Sequence, residues 1–120
     1  MDIRRYDIVQ VDLGKSDLGQ VIGSEQGGIR PVLVIQNDQG NIYSSTTIIM
    51  PFTSKIKSIN QPTHALIKSS VDTGLRTDSM LLGEQIRVIS SQRIIKKIGA
   101  VTDKDEIEEI KKVYQANFGE

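Results

Sequence analysis

Gly23-Ser24-Glu25-Gln26-Gly27-Gly28-Ile29-Arg30-Pro31-Val32-Leu33-Val34-Ile35-Gln36-Asn37 is the stretch on which the reading of this chain turns. It sets a polar, glycine-containing turn, one arginine and an apolar strand in immediate succession. A glycine pair lets the backbone take positive φ and approach a ligand closely. Pro31 holds the residue before it extended. Arg30 is thus a cation at the junction between a rigid strand and a polar loop, an arrangement suited to gripping a phosphate. An ordinary surface loop entering a core strand satisfies the same pattern, and local chemistry alone leaves both readings open.

Outward from this stretch the apolar patterning is that of a mainly β chain. Residues 6–13 alternate and read as a half-exposed strand. Residues 29–36 are apolar on both faces and read as a central strand. Residues 37–41 carry Asx and Gly turn chemistry. Residues 46–52 are rich in β-branched residues and read as a third strand, followed by a polar loop over 53–60. A fourth strand is expected over 63–68, then one long or two short strands over 79–90, a short turn at 91–93 and a strand over 94–101. Residues 14–28 form a long loop of the kind that is functional or disordered in compact domains.

The C-terminal segment reads as a helix. Thr102 is the candidate N-cap, and Asp103, Asp105 and Glu106 supply an acidic first turn that complements the helix dipole. Ile107, Ile110, Tyr114 and Phe118 recur at helical spacing, and Gly119 is a plausible stop. Many short strands with one terminal helix point to a small β-barrel or a twisted sheet closed by a helix.

Composition narrows the function. The chain has 120 residues, no cysteine, no tryptophan and one histidine. That length suits a single domain spanning residues 1–120. Without cysteine there is no disulfide and no thiolate metal site. No stretch of about 18 apolar residues suggests a membrane span, and the polar N-terminus lacks a signal-peptide core. These features fit a bacterial cytoplasmic protein. Formal net charge is zero, with −3 carried from residue 103 onward and +3 on the first 102 residues. The zero net charge argues against binding by bulk phosphate attraction, while the modest positive bias on the body is compatible with a short RNA strand in one groove.

Ordinary catalysts are few. A two-histidine ribonuclease mechanism is impossible within one chain. His64, in an alternating strand with no evident dyad partner, reads as structural. No acid cluster has metal-site spacing, so neither metal nor cofactor is expected. RNA cleavage needs neither when the ribose 2′-OH attacks the adjacent phosphate in line. The protein then holds the nucleotide, stabilises phosphorane charge and manages two protons.

The run Gly-Ser-Glu-Gln-Gly-Gly-x-Arg-Pro-x-Leu-Val-Ile-Gln-Asn-Asp resembles the signature of the MazF/PemK toxin endoribonucleases, in particular the branch of low-GC Gram-positive bacteria. The resemblance continues through Gly40-Asn41, Ser45-x-Thr47, Thr53, Pro62-Thr63-His64 and Asp78-Ser79-x-Leu81-Leu82-x-Glu84-Gln85-Ile86-Arg87, in order, from about Arg5 to about Phe118. It implies an SH3-like barrel of the kind shared with CcdB toxins, with a C-terminal α-helix. It implies the toxin of a type II toxin–antitoxin system, a metal-independent, sequence-selective endoribonuclease. Single-stranded RNA would bind along a homodimer interface and leave with 2′,3′-cyclic phosphate and 5′-OH ends. A small acidic MazE-like antitoxin would compete for the groove.

Carried onto this sequence, the resemblance places the catalytic arginine at Arg30 and the catalytic threonine at Thr53. A guanidinium forks phosphate oxygens but is a poor base, so Arg30 suits transition-state stabilisation. A threonine hydroxyl can donate to a non-bridging oxygen. RNA-binding candidates are Ser24, Glu25, Gln26, Gln36, Asn37, Glu84, Gln85 and Arg87. In a regular strand Glu84 and Gln85 would point to opposite faces. Gln36 and Asn37 can also simply close their turn, and Arg87 can form a structural ion pair. Residues 14–22 make a longer connection than is usual in the family, which bears on cleavage-site preference. Two other functions compete: a CcdB-like toxin that binds DNA gyrase, and a non-catalytic RNA-binding barrel, the latter disfavoured by the few stacking aromatics.

Overall fold

The computed structural model describes residues 2–14 and 27–119. The chain runs β1 (Asp7–Asp12), β2 (Ile29–Val34), α1 (Asp38–Tyr43), β3 (Thr46–Thr53), β4 (His64–Ile67), β5 (Ser79–Leu82), β6 (Arg87–Ser90), β7 (Ile94–Ala100) and α2 (Lys104–Phe118). The strands form one antiparallel system in the order β4-β5-β3-β2-β1-β7, with β6 also paired to β3. The outer edge of β7 is met by the segment after β4, where the Ala100 N–H donates to the Asp72 carbonyl at 2.8 Å. The sheet thus curls until its two ends touch, which fits the small closed β architecture with a C-terminal helix that the sequence suggests.

Closure explains the first departure from the sequence reading. β1 was expected to be half-exposed, yet Ile8, Val9 and Val11 are all fully buried. Two apolar clusters lie on opposite faces of the same strands. One gathers Ile8, Leu33, Met50, Phe52, Leu81, Ile110 and Val113. The other gathers Ile3, Val9, Val11, Val32, Val34, Ile49 and Ile89. A curled sheet covered by α2 on one side has no wet face along its middle strands. For β2 the two-sided burial is as expected: Val32, Leu33 and Val34 are fully buried.

Three further boundaries differ. The turn expected at 37–41 is the start of α1. Asn37 Oδ1 accepts the Gly40 N–H at 2.7 Å, and this Asx contact serves an N-cap as well as a turn. α2 is capped by Asp103 rather than Thr102. Asp103 Oδ1 accepts the Glu106 N–H at 3.0 Å, while the Thr102 hydroxyl donates to Asp72. The run 79–90 is broken by a 3₁₀ turn at Gly83–Gln85. A Cβ on Gly83 would collide with Val113, so glycine here lets α2 sit directly on the sheet, and Asn117 Nδ2 clasps the Gly83 carbonyl at 2.6 Å. Glu84 and Gln85 therefore do not alternate as strand residues.

The helix face also differs. Ile110 and Val113 are buried, whereas Tyr114 is 48% and Phe118 is 60% exposed. Those two rings pack on each other, centroids 5.0 Å apart. The stripe facing the sheet runs through 110, 113 and 117, about 100° round from 114 and 118 at 3.6 residues per turn.

Candidate active site

The two catalytic candidates converge. Arg30 lies on β2 opposite Val11. Just before it the chain passes through a neck in which Leu13 N–H donates to Gly28 O and Gly28 N–H to Gly14 O. Gly28 takes φ +75°, the conformation for which the glycine pair was singled out. Thr53 ends β3 and pairs with Met80 of β5. The bond between the two sites is made by Arg30 itself. Its Nη1 donates to the carbonyl of Phe52 and its Nε to that of Gly27, each at 3.0 Å. Phe52 is 1% exposed, so its carbonyl is a fixed anchor.

This geometry assigns each Arg30 proton. A guanidinium has five N–H donors. The Nε hydrogen and one Nη1 hydrogen hold the side chain in place, and no described carboxylate pairs with it. The remaining Nη hydrogens have no partner among the described residues, and Arg30 lines a cleft. Burial lowers the Arg30 pKa from its ordinary value, but a guanidinium stays charged at neutral pH. Thr53 Oγ1 accepts the Lys55 N–H at 3.2 Å. Its own hydroxyl proton is thereby left to donate.

Arg30 and Thr53 line one cleft of about 650 Å³ together with Gln10, Pro31, Phe52, Lys55, Arg76 and Lys96. Among the described residues its charged lining is Arg30, Lys55, Arg76 and Lys96, with no carboxylate. A neutral chain has thus gathered cations from separate segments at one place. No described group of three or more His, Cys, Asp or Glu side chains is arranged to hold a metal ion.

Sequence reasoning missed Gln10, Lys55, Arg76 and Lys96 as lining residues. Arg76 had a weak signal, in a Gly-Leu-Arg turn between two acids. Lys96 had none, because only the pairing of β7 with β1 sets it opposite Gln10.

The RNA-binding candidates are divided. Ser24, Glu25 and Gln26, with the longer 14–22 connection apart from Gly14, lie outside the described residues. Gln36, Asn37 and Arg87 line a second groove of about 370 Å³ with Ile48, Val88, Tyr114 and Phe118. Gln36 Nε2 donates to Asn41 and to the Thr46 carbonyl, so Gln36 braces α1, which Asn37 caps. Arg87 forms no ion pair with a described residue; it lies opposite Ile49 on β3, about 13 Å along that strand from Thr53.

Glu84 lies in neither cleft; its Oε2 is 2.9 Å from His64 Nε2. Gln85 is half-buried beside it. His64 therefore has the partner its sequence neighbourhood did not reveal. The His64 side chain is 6% exposed, and its Nδ1 meets the Ser58 carbonyl at 2.9 Å. Both neighbours are acceptors, so both contacts are hydrogen bonds only when each ring nitrogen carries a proton. Burial opposes that charge, but the bonds to Glu84 and Ser58 outweigh it and raise the His64 pKa. Burial likewise works to raise the Glu84 pKa, and the hydrogen bond from His64 leads the effects that bring it below its ordinary value.

Comparison with known proteins converges on one family. The family described as PemK-like, MazF-like toxin of type II toxin-antitoxin system matches residues 4–118. The chain is 46% identical over 100 residues to Endoribonuclease EndoA of Bacillus subtilis (strain 168), covering 82% of this chain and 85% of that protein. It is 46% identical over 93 residues to Endoribonuclease MazF of Staphylococcus saprophyticus, covering 78% of this chain and 77% of that protein. Among solved structures, MazF (Form-I) from Deinococcus radiodurans aligns with a TM-score of 0.78 at 18% identity, over 100% of this chain and 99% of that one. An endoribonuclease in complex with its cognate antitoxin from Mycobacterial species aligns at 0.76 and 18%, over 98% and 95%. At such identities the structures show the fold, which is that of MazF. The chain belongs to the PemK-like, MazF-like toxins of type II toxin–antitoxin systems.

Proposed function

We propose that this toxin is a metal-independent endoribonuclease that cuts single-stranded RNA at selected sequences and so arrests translation. The observation that carries this reading is the joining of Arg30 to the backbone beside Thr53 in a cleft whose described charged groups are all cationic. The names of its 46%-identical relatives support it.

In the reaction the ribose 2′-oxygen forms a bond to the adjacent phosphorus while the bond from phosphorus to the 5′-oxygen breaks. One proton leaves the 2′-OH and one joins the departing 5′-oxygen. The products are a 2′,3′-cyclic phosphate and a 5′-OH. The free Nη hydrogens of Arg30 fork the non-bridging oxygens, where charge grows, and the Thr53 hydroxyl donates a further hydrogen bond. Because Arg30 is already held by two carbonyls, it needs little reorganisation at the moment of reaction.

The same reading takes residues 1–120 as a single toxin domain acting as a cytoplasmic homodimer. Ser24, Glu25, Gln26, Gln36, Asn37, Glu84, Gln85 and Arg87 remain proposed RNA contacts, with Glu84 reached only if it shares its carboxylate with His64. A MazE-like antitoxin would inhibit by occupying the groove; structural relatives form complexes with an antitoxin. No helix among the described residues is long and apolar enough to cross a membrane. A gyrase-binding toxin, or a barrel that binds RNA without cutting it, gives no reason for Arg30 and Thr53 to share a cleft.

The test is incubation of the purified protein with a long single-stranded RNA in EDTA. Discrete cuts with cyclic-phosphate and 5′-OH ends, absent with Arg30→Ala, are expected. Intact RNA from a folded protein overturns the reading, and a requirement for added Mg²⁺ overturns its chemistry.

A further inference from the structure

We infer that Arg76 and Lys96 hold the RNA backbone phosphates that flank the scissile one, and so extend the site beyond Arg30 and Thr53. This rests on the ribonuclease reading. One scissile phosphate is served by one arginine and one hydroxyl, yet the cleft also presents Lys55, Arg76 and Lys96. Gathering like charges on a neutral chain is unfavourable in the free protein, and it becomes favourable when the ligand is a polyanion.

The neighbours of both residues show selective use of charge. Lys97, next to Lys96 on β7, is neutralised by Asp7 at 3.2 Å. Lys96 has no such partner among the described residues, and its pair Gln10 sits between two register shifts of the β1–β7 ladder. Such bulges re-aim side chains. Arg76 is preceded by buried Leu75 and by Gly74, where a Cβ would collide with the Ile98 carbonyl. The acids on either side of this turn are engaged elsewhere. Asp78 accepts the Ser69 N–H at 2.8 Å, and Asp72 accepts the Thr102 hydroxyl at 3.2 Å. Arg76 is thus a cation on a braced turn, able to fork a phosphate, and Lys96 is a point charge on a strand.

The experiment first maps the cut sequence with the wild-type protein. It then measures binding of an oligoribonucleotide of that sequence, with a 2′-deoxyribose on the 5′ side of the cut, at a series of salt concentrations. Each of Arg76→Gln and Lys96→Gln should lower the slope of log affinity against log salt by about 0.7, the value for one phosphate contact on a single strand. In cleavage each should raise KM several-fold at low salt and leave kcat within about twofold, because a contact made equally in ground and transition states changes binding alone. Arg76→Lys and Lys96→Arg keep the charge and should restore the wild-type slope, which separates lost charge from lost folding. Slopes unchanged in the glutamine variants of a protein that cuts RNA overturn this inference alone. A wild-type protein that neither binds nor cuts RNA overturns the reading beneath it.

Discussion

Arg30 Nη1 donates to the carbonyl of Phe52 at 3.0 Å, and Phe52 is the residue immediately before Thr53. The β2–β3 ladder is in register from Val34–Ile49 to Val32–Pro51. Beyond Pro51 the arginine side chain takes over from the backbone on the β2 side of β3, whose other edge pairs there with β5. The two catalytic candidates are therefore one mechanical unit. Arg30→Ala should reduce cleavage by at least about a hundredfold, as loss of a preorganised donor to a developing oxyanion does. Arg30→Lys should not rescue it, since one ammonium cannot brace both carbonyls and still fork a phosphate. Single-turnover cleavage of a mapped RNA measures both, and near-wild-type activity in either variant would refute the assignment.

Thr53 differs from Arg30 in what a conservative change leaves. Thr53→Ser keeps a hydroxyl that can accept from Lys55 and donate to phosphate, and should retain most activity. Thr53→Val keeps the shape and removes the hydroxyl. It should lose about ten- to a hundredfold, the worth of one hydrogen bond to a charged group. Equal rates for the two variants would remove the hydroxyl from the mechanism.

His64 and Glu84 make stability depend on pH in two directions. The raised His64 pKa contributes stability that is full below the unfolded value of about 6.5 and is lost as pH rises through the folded value. The lowered Glu84 pKa contributes stability that is full above the unfolded value of about 4.3 and is lost as pH falls through the folded value. The pair therefore helps most between roughly pH 4.5 and 6.5. Glu84 is 44% exposed at its side chain, so screening limits the effect to about 1 kcal/mol at most. Urea midpoints at pH 5.5 and pH 8.5 should show a loss in the wild type that is smaller in Glu84→Gln. Parallel profiles would show that the contact contributes nothing.

Gly74 has φ +69°, and a Cβ there would collide with the Ile98 carbonyl. Gly74→Ala should destabilise the protein by at least about 1–2 kcal/mol, the cost of a left-handed conformation for a residue with a side chain. Because it displaces the turn that carries Arg76, it should also weaken RNA binding in whatever fraction stays folded. Thermal melting checks the first effect and titration at low temperature the second. A melting temperature equal to the wild type would mean that the turn does not need glycine.

The parts of the fold legible in the sequence were those written in neighbouring residues. The two-sided burial of Val32, Leu33 and Val34, the positive φ at Gly28 and the stop at Gly119 were all readable locally. The start of α2 was readable to within one residue, Asp103 rather than Thr102, whereas α1 was not: the Asx motif at Asn37, read as a turn, opens a helix. The exposure of Tyr114 and Phe118 was not readable, because several phases of the same helical stripe are apolar and contact with the sheet chose the one through Ile110 and Val113.

The site divides along the same line. The sequence by itself determined a mainly β chain with a C-terminal helix, its toxin family, and Arg30 and Thr53 as the residues to examine, because periodicity and signature spacing are properties of contiguous residues. Only the tertiary structure decided that Arg30 is braced on Phe52, that His64 has Glu84 as its partner, and that Lys55, Arg76 and Lys96 share a cleft with Arg30 and Thr53. Each of those juxtapositions depends on long-range packing: His64 opposite Leu82 on β5, Lys96 opposite Gln10 on β1, Gly74 against Ile98. Pairing of this kind is set by burying both faces of a curled sheet at once, a condition that no single stretch of the chain contains.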